Sequence, residues 1–138
     1  MRVLNLEDDV TKHNNICKVL KRYGFIRIDW AKNLEDGMEL IKNSMDCSDP
    51  YALFVTDMYY PLVRGGKEEK AGELFIASIK ELNIDTPIIV CSSVRYRIPD
   101  ILGTVYYSEK IDWENELRGL IKKIALAIPK HKCYTNYS

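Results

Sequence analysis

The sequence predicts an α/β fold: a five-stranded parallel sheet in the order 2-1-3-4-5, with helices on both faces. Three observations lead to this prediction. Short apolar, β-prone segments alternate five times with helical or irregular segments along the chain. Parallel neighbours need crossover connections, and right-handed crossovers leave few possible topologies. The chain has 138 residues, which suits one domain with a sizeable core.

The first half of the chain supplies three strands and two helices. The first helix is predicted over Val10–Tyr23, where apolar residues recur at helical spacing before Gly24, a common helix stop. Asn33 is predicted to cap the second helix, because its side chain can accept a hydrogen bond from a free backbone N–H. The apolar stripe of that helix is Leu34, Met38, Ile41 and Met45. The strands are predicted at Arg2–Leu6, Phe25–Trp30 and Tyr51–Thr56.

A segment without clear periodicity, Met58–Lys70, follows the third strand. Its part Leu62–Lys70 carries a glycine pair and a charge run, which predict an exposed, mobile loop. The third helix is predicted over Ala71–Leu82. The side chains expected to face inward on that helix are Leu74, Phe75, Ile79 and Leu82.

The last two strands are predicted at Ile88–Cys91 and Thr104–Tyr107. The stretch between them, Val94–Gly103, is short for a helix with its turns, so we expect helix four to be short or irregular. A final helix begins after its cap, Asp112, and is expected to end at Pro129. Residues 1–128 are therefore predicted to form the domain, and residues 129–138 a polar tail.

Composition narrows the classes of function. Lys plus Arg and Asp plus Glu both number 20, so the net charge is zero, which disfavours nucleic-acid binding through a broad basic surface. No apolar run approaches the ~18–20 residues of a membrane span, and the first residues do not resemble a signal peptide. The four cysteines lack metal-ligand spacing. We expect a reducing, cytoplasmic setting and no membrane partner.

Polar side chains follow the predicted strands at the points where they end. Glu7-Asp8-Asp9 follows the first strand, Asp57 the third and Ser92 the fourth, while Lys110 lies shortly after the fifth. In an open parallel sheet, ligands bind at the carboxyl ends of the strands, where these groups should converge. Carboxylates held this close would bind a divalent cation such as Mg²⁺, and a lysine and a hydroxyl suit a phosphoryl group.

Each of these residues also has an ordinary structural interpretation. An acid after a strand often caps the next helix, as Asp9 could, and a serine at a strand end often forms a turn. Lys110 alone would be a surface lysine, and Tyr107 alone a core or surface aromatic. Only the predicted convergence of the set favours a functional site.

With this set of residues, the chain resembles the receiver domain of bacterial response regulators over about residues 1–128. The resemblance rests on Glu7-Asp8 after the first strand, Asp57 at the end of the third with Pro61 four residues later, and Ala71-Gly72 opening the third helix. Further matches are Pro87 to Ser92, which form the fourth strand with its hydroxyl, and Gly103, Tyr107 and Lys110.

The resemblance implies a flavodoxin-like fold and a phosphorelay role. Asp57 would accept the phosphoryl group, contacted by Ser92 and Lys110, and Tyr107 would be the switch aromatic. The ligands implied for Mg²⁺ are Glu7, Asp8, Asp57 and the backbone carbonyl of Tyr59. The implied donor is a sensor histidine kinase or a phosphotransfer protein, and the downstream protein target stays open. Such a protein is a switch with slow self-hydrolysis rather than a turnover enzyme.

The sequence departs from the family pattern in three places. Ile111 replaces the proline that usually follows the lysine, the stretch between Asp57 and Gly72 is longer, and the stretch between Ser92 and Lys110 is shorter. Two other functions therefore stay open. A receiver-like interaction module would never be phosphorylated. A phosphatase of the haloacid dehalogenase type would need a second aspartate two residues after Asp57, where this chain has Tyr59.

Overall fold

The protein folds around a five-stranded parallel sheet, as the sequence predicts. The computed structural model describes residues 1–127, so the predicted helix end at Pro129 and the tail 129–138 lie outside the described residues. The strand order is β2-β1-β3-β6-β7, which is the predicted order 2-1-3-4-5 once a small hairpin, β4-β5, is set aside. The sheet strands are β1 (Arg2–Leu6), β2 (Arg27–Ala31), β3 (Leu53–Thr56), β6 (Ile88–Ser92) and β7 (Gly103–Tyr106).

Four helices are described, and side-chain caps fix where the first two begin. The helices are α1 (Val10–Arg22), α2 (Leu34–Asp46), α3 (Ala71–Glu81) and α4 (Trp113–Ala127). The Asp9 carboxylate accepts hydrogen bonds from the backbone N–H groups of Thr11 and Lys12. The Asn33 side chain accepts one from Asp36 at 2.8 Å, which confirms the predicted cap of α2.

Alternating strand residues build two cores, one on each face of the sheet. On one face, Leu4, Phe54 and Val90 pack with residues of α2 and α3. On the other face, Val3, Val55 and other strand residues pack with α1 and α4. Since both faces are covered, the strands are apolar along most of their length, as expected of a buried parallel sheet.

Some predicted boundaries and orientations were wrong. The second strand begins at Arg27, because Phe25 bonds its backbone N–H to Leu20 at the end of α1 and packs into the core before the strand starts. Leu74 and Leu82 do not face inward, since each is about half exposed, while Ile76 is buried in their place. The stripe of α3 is thus rotated relative to the prediction.

The two segments of altered length also differ from the expected structure. The segment predicted as a plain loop contains the hairpin, in which β4 (Tyr60–Pro61) pairs antiparallel with β5 (Glu68–Glu69). Residues 93–102 form bends and turns and contain no helix, which goes further than the short or irregular helix expected. Tyr96, Ile98 and Ile101 from this stretch still pack on the core beside α3.

No helix within residues 1–127 combines the length and the apolar character needed to span a bilayer.

Candidate functional site

The carboxyl ends of β1 and β3 bring three acidic residues together at one edge of the sheet. The two strands pair in parallel, with Leu6 opposite Thr56, so the residues that follow them emerge side by side. The backbone N–H of Asp57 donates to the carbonyl of Leu6 at 3.0 Å, which fixes Asp57 next to Glu7. The sequence-based prediction of this convergence rested on topology alone.

Asp57 is held firmly but stays accessible. One carboxylate oxygen, Oδ1, accepts a hydrogen bond from the Met58 backbone N–H at 2.7 Å. The other, Oδ2, lies 3.1 Å from Lys12 Nζ, and the side chain keeps 17% of its exposure. The start of α3 abuts the backbone here, because a Cβ at Gly72 would lie 2.2 Å from the Asp57 carbonyl oxygen. The carboxylate is thus fixed in orientation and open to solvent.

Glu7 is the buried member of the cluster. Its side chain is 1% exposed, and Oε1 has Lys12 Nζ at 2.9 Å but no well-directed hydrogen bond. Burial raises the pKa of Glu7 to about 7, although Lys12 opposes the rise. The ionised form of Glu7 is therefore poorly compensated at this edge of the sheet.

Lys12, in the first turn of α1, is the cation at the centre of the cluster. Its Nζ donates to the carbonyl of Cys91 at 2.7 Å, in addition to its approach to Glu7 and Asp57. Burial alone lowers the pKa of Lys12, but the attraction of the two carboxylates outweighs it and the net shift is upward. Lys12 is consequently charged and links β1, β3 and β6.

Asp8 lies at the rim of the cluster and faces the hairpin. Desolvation and the neighbouring Asp8 carboxylate raise the pKa of Glu68, on β5. Asp8 also borders a groove of about 500 Å³ that runs past Trp30 and Lys32 to the hairpin residues Arg64 and Gly65. The additional length between Asp57 and Gly72 therefore forms one wall of an opening beside the acidic cluster.

Ser92 and Tyr107 lie on the other side of Asp57, at the ends of β6 and β7. Ser92 is buried, and its Oγ accepts a hydrogen bond from the Val94 backbone at 3.3 Å. The Tyr107 backbone donates to the Ser92 carbonyl at 2.8 Å, and the Tyr107 hydroxyl accepts from the Asn15 amide at 3.0 Å. The ring of Tyr107 has Lys12 Nζ 5.3 Å from its centroid. Tyr107 therefore covers the lysine.

Lys110 lies outside the described ion pairs of this cluster. Lys110 is exposed in the turn between β7 and α4, and the salt bridges found within residues 1–127 join the Asp57 carboxylate to Lys12. Tyr59, the source of the predicted backbone ligand, follows Asp57 by two residues and is 42% exposed. The roles assigned to these residues by resemblance stay predictions.

The donor chemistry of the cluster fits a divalent cation in part. Carboxylate and carbonyl oxygens are the ligands that Mg²⁺ prefers, and the raised pKa values of Glu7 and Glu68 indicate a local excess of negative charge. Within residues 1–127, however, no three acidic, histidine or cysteine side chains lie in an arrangement that could hold a metal ion. Lys12 already neutralises part of the charge.

Sequence reasoning overlooked Lys12 and Glu68. A signal for Lys12 existed, because α1 has no acidic residue in its first turn and carries this lysine there instead. A cation at a helix amino terminus opposes the helix dipole, so its presence calls for an explanation. No sequence signal distinguished Glu68 from the neighbouring charges of the hairpin.

Comparison with known proteins identifies the fold. No protein-family model matches the sequence, and no curated protein matches it. Solved structures do match. A two component transcriptional regulator AraC from Clostridium phytofermentans ISDg is 19% identical with a TM-score of 0.66, over 97% of this chain and 98% of that one.

Two further structures extend the comparison. A chain in the complex of histidine kinase ThkA with response regulator protein TrrA is 22% identical with a TM-score of 0.65, over 89% of this chain and 97% of that one. The Mn²⁺-bound form of response regulator Rcp1 is 16% identical with a TM-score of 0.67, over 86% of this chain and 90% of that one. The protein has the fold of the response regulator receiver domains.

Proposed function

We propose that this chain is a receiver in phosphorelay signal transduction. Asp57 accepts a phosphoryl group from a sensor histidine kinase or a phosphotransfer protein, and the protein then changes conformation. The observation that carries the proposal is the placement of Asp57: an oriented, accessible carboxylate at the end of the central strand, beside buried Glu7 and Lys12. The likeness to a chain from a complex of a histidine kinase with a response regulator supports the proposed partner.

The transfer is a nucleophilic displacement at phosphorus. A carboxylate oxygen of Asp57 forms a new bond to the phosphorus of a phosphohistidine, and the P–N bond breaks with its electron pair going to the imidazole nitrogen. The Met58 N–H holds the Asp57 carboxylate in a fixed orientation, which reduces the entropic cost of the attack. The product is an acyl phosphate on Asp57.

A divalent cation fits this chemistry. Asp8, Asp57 and the backbone carbonyl of Tyr59 would hold Mg²⁺, with Glu7 behind them, and the bound ion would offset charge on the transferred group. The Mn²⁺-bound form of response regulator Rcp1 supports metal binding by proteins of this fold. Glu68 adds a further carboxylate next to Asp8.

The conformational response is proposed to pass through Ser92 and Tyr107. The Ser92 hydroxyl can donate its own proton to a phosphoryl oxygen, since its present hydrogen bond uses it as an acceptor. Tyr107 is attached through its backbone to the Ser92 carbonyl, so movement of one affects the other. The protein would act in the cytoplasm as a switch with slow self-hydrolysis.

A second candidate is a receiver-like interaction module that never carries phosphate. The observation that favours it is the pairing of Lys12 with both Glu7 and Asp57, which partly neutralises the cluster without a metal. The stretch 93–102, which begins directly after Ser92 and has no helix, also presents an altered surface.

Incubation with acetyl phosphate and Mg²⁺, followed by intact-mass measurement and peptide mapping, tests the proposal. We expect one phosphoryl group on Asp57, lost in Asp57→Asn and retained in Asp85→Asn, a matched change at an exposed position between α3 and β6. An unmodified wild-type protein would favour the interaction module. Turnover of unrelated phosphomonoesters would favour a phosphatase.

A further inference from the structure

Lys12 occupies a position in the site to which neither the sequence-based prediction nor the comparisons gave a role. Its ammonium group lies within 3.1 Å of an oxygen from each of Glu7, Asp57 and Cys91. Asp57 is the proposed nucleophile, and Cys91 immediately precedes Ser92, the proposed hydroxyl contact. The charge of Lys12 therefore lies beside the proposed nucleophile and against the carbonyl of the residue that precedes Ser92.

The energetics of this placement are unfavourable for a merely structural lysine. Lysines are almost never buried unless paired, and the Lys12 side chain is 8% exposed. It also occupies the amino-terminal turn of α1, where the helix dipole disfavours a positive charge. An apolar residue of similar length would avoid both costs if the site did not require a cation, since buried ion pairs are seldom more stable than apolar packing.

No comparable contact is described for Lys110 within residues 1–127. It lies in the exposed turn that precedes α4, whereas the residue directly after β7 is Tyr107. The Tyr107 ring lies over Lys12 Nζ, and its hydroxyl is bonded to Asn15 of α1. The Lys12 ammonium, with the Tyr107 ring over it, thus lies between the carboxylates of Glu7 and Asp57.

We propose that Lys12 is the catalytic cation of the phosphoryl-accepting site, in the part that the resemblance gives to Lys110. It keeps its proton throughout. As the Asp57 oxygen forms its bond to phosphorus, Nζ exchanges its ion-pair contact with Asp57 for a hydrogen bond to a phosphoryl oxygen and stabilises the charge there. This inference rests on the proposed function.

The same contact supplies a route for the response. When Nζ turns towards a phosphoryl oxygen, its distance from the Tyr107 ring changes, and Tyr107 contacts the Trp113 ring with centroids 4.9 Å apart. The movement would therefore reach α1 and the start of α4. The stretch 93–102 is not needed for it.

The test removes the lysine without leaving a buried charge uncompensated. Glu7→Gln retains Lys12, and Glu7→Gln/Lys12→Met removes it, so the pair of variants isolates the lysine. Labelling by acetyl phosphate with Mg²⁺ is measured for both, with circular dichroism to verify folding. We expect the double variant to be slower than Glu7→Gln by on the order of 100-fold. Lys122→Met, on the exposed side of α4, is the matched control and should label like wild type.

A readout without turnover completes the test. Beryllium fluoride with Mg²⁺ serves as a phosphoryl mimic, and the lysine side-chain ¹³Cε resonances of wild-type protein are recorded. The resonance that is missing from the spectrum of the double variant belongs to Lys12. In wild-type protein, beryllium fluoride with Mg²⁺ should shift this resonance strongly. Three outcomes would overturn the role of Lys12 while Asp57 labelling stands. They are equal labelling of Glu7→Gln and the double variant, an unshifted Lys12 resonance, and a larger loss of labelling in Lys110→Met than in the double variant. Absence of any label on wild-type Asp57 would instead overturn the proposed function and this inference together.

Discussion

The two ends of the parallel sheet both carry a cation among acids, but they use it differently. At the amino end, Arg2 bonds to Asp29 at 2.6 Å and to the backbone and side chain of Asp49. The Tyr51 hydroxyl also donates to Asp29 at 2.6 Å, and the guanidinium lies over the Tyr51 ring. At the carboxyl end, Lys12 forms ion pairs with Glu7 and Asp57, and the carboxylates of Asp8 and Glu68 lie close to this group.

The pKa shifts of Asp29 and Glu7 show that the charges are better compensated at the amino end than at the carboxyl end. Burial raises the pKa of Asp29, but hydrogen bonds from Tyr51 and Arg2 outweigh it, and the net pKa falls below its ordinary value. Burial also raises the pKa of Glu7, and there Lys12 does not reverse the rise. At the amino end the charged groups are paired and hydrogen-bonded, so this cluster is structural. The carboxyl end retains negative charge that a further cation would relieve.

The largest expected effect on stability comes from removing Lys12 alone. Lys12→Met leaves Glu7 buried without a cation, which should lower the free energy of unfolding by about 3–5 kcal/mol above neutral pH. Chemical denaturation measures the change. Adding Glu7→Gln should restore most of the stability, and a double variant as unstable as Lys12→Met would show that packing rather than charge is lost.

Next in size is the effect of crowding the backbone under Asp57. In Gly72→Ala the new Cβ would lie 2.2 Å from the Asp57 carbonyl oxygen and 2.7 Å from Met58 Cα, so the strand end must shift. We expect a loss of about 1–3 kcal/mol, together with slower labelling of Asp57. Gly119→Ala is the control, because open space surrounds that position in α4, and it should be neutral or slightly stabilising.

A smaller effect is expected at the amino end. Arg2→Met removes the bridge between Asp29 and Asp49, which should cost about 1–2 kcal/mol because both acids are partly exposed and keep access to water. Labelling of Asp57 should proceed at the wild-type rate once folding is verified. A large loss of labelling would contradict the interpretation that the amino end is a structural cluster and the carboxyl end the reactive site.

The pH dependence of stability gives the sharpest distinction between the two ends. Folding raises the pKa of Glu7 from an ordinary 4.5 to about 7. Between these pH values the folded protein holds a proton that the unfolded chain has released, so stability falls as pH rises. The lowered pKa of Asp29 acts in the opposite sense, and its contribution is lost as pH falls below about 3.8.

Thermal unfolding across this range checks both contributions. Glu7→Gln should remove the decline between weakly acidic and neutral pH, and Asp29→Asn should flatten the acid limb. A Glu7→Gln curve parallel to that of wild type would show that Glu7 is not perturbed in solution.

The sequence was sufficient for the sheet because strand and helix periodicities are local properties. Runs such as Leu53–Thr56 and Ile88–Ser92 are apolar up to their last residue, and their order follows from crossover rules. The orientation of α3 was harder to predict, since the helix is apolar around much of its circumference and only packing determines that Ile76 is buried while Leu74 is exposed.

The site was predictable where it depends on strand ends and unpredictable where it depends on packing between elements. Glu7, Asp8 and Asp57 follow directly from topology. Lys12 reaches the cluster from a helix, and a side chain with four rotatable bonds has many possible destinations. Lys110 was expected there because of its place after the last strand, and its role stays a prediction: it is exposed in the turn before α4, and the described ion pair of Asp57 is with Lys12.

The Lys12 contacts also bear on how the protein opens. Nζ joins α1 to the Cys91 carbonyl across 79 positions of chain, so the first turn of α1 cannot detach without also separating β1, β3 and β6 from their shared cation. Detachment would leave Glu7 buried without its cation, which adds about 3–5 kcal/mol to the cost of partial opening of this region above neutral pH. The amides of the first turn of α1, which ordinarily fray, should therefore exchange with solvent in one cooperative unit with the central strands.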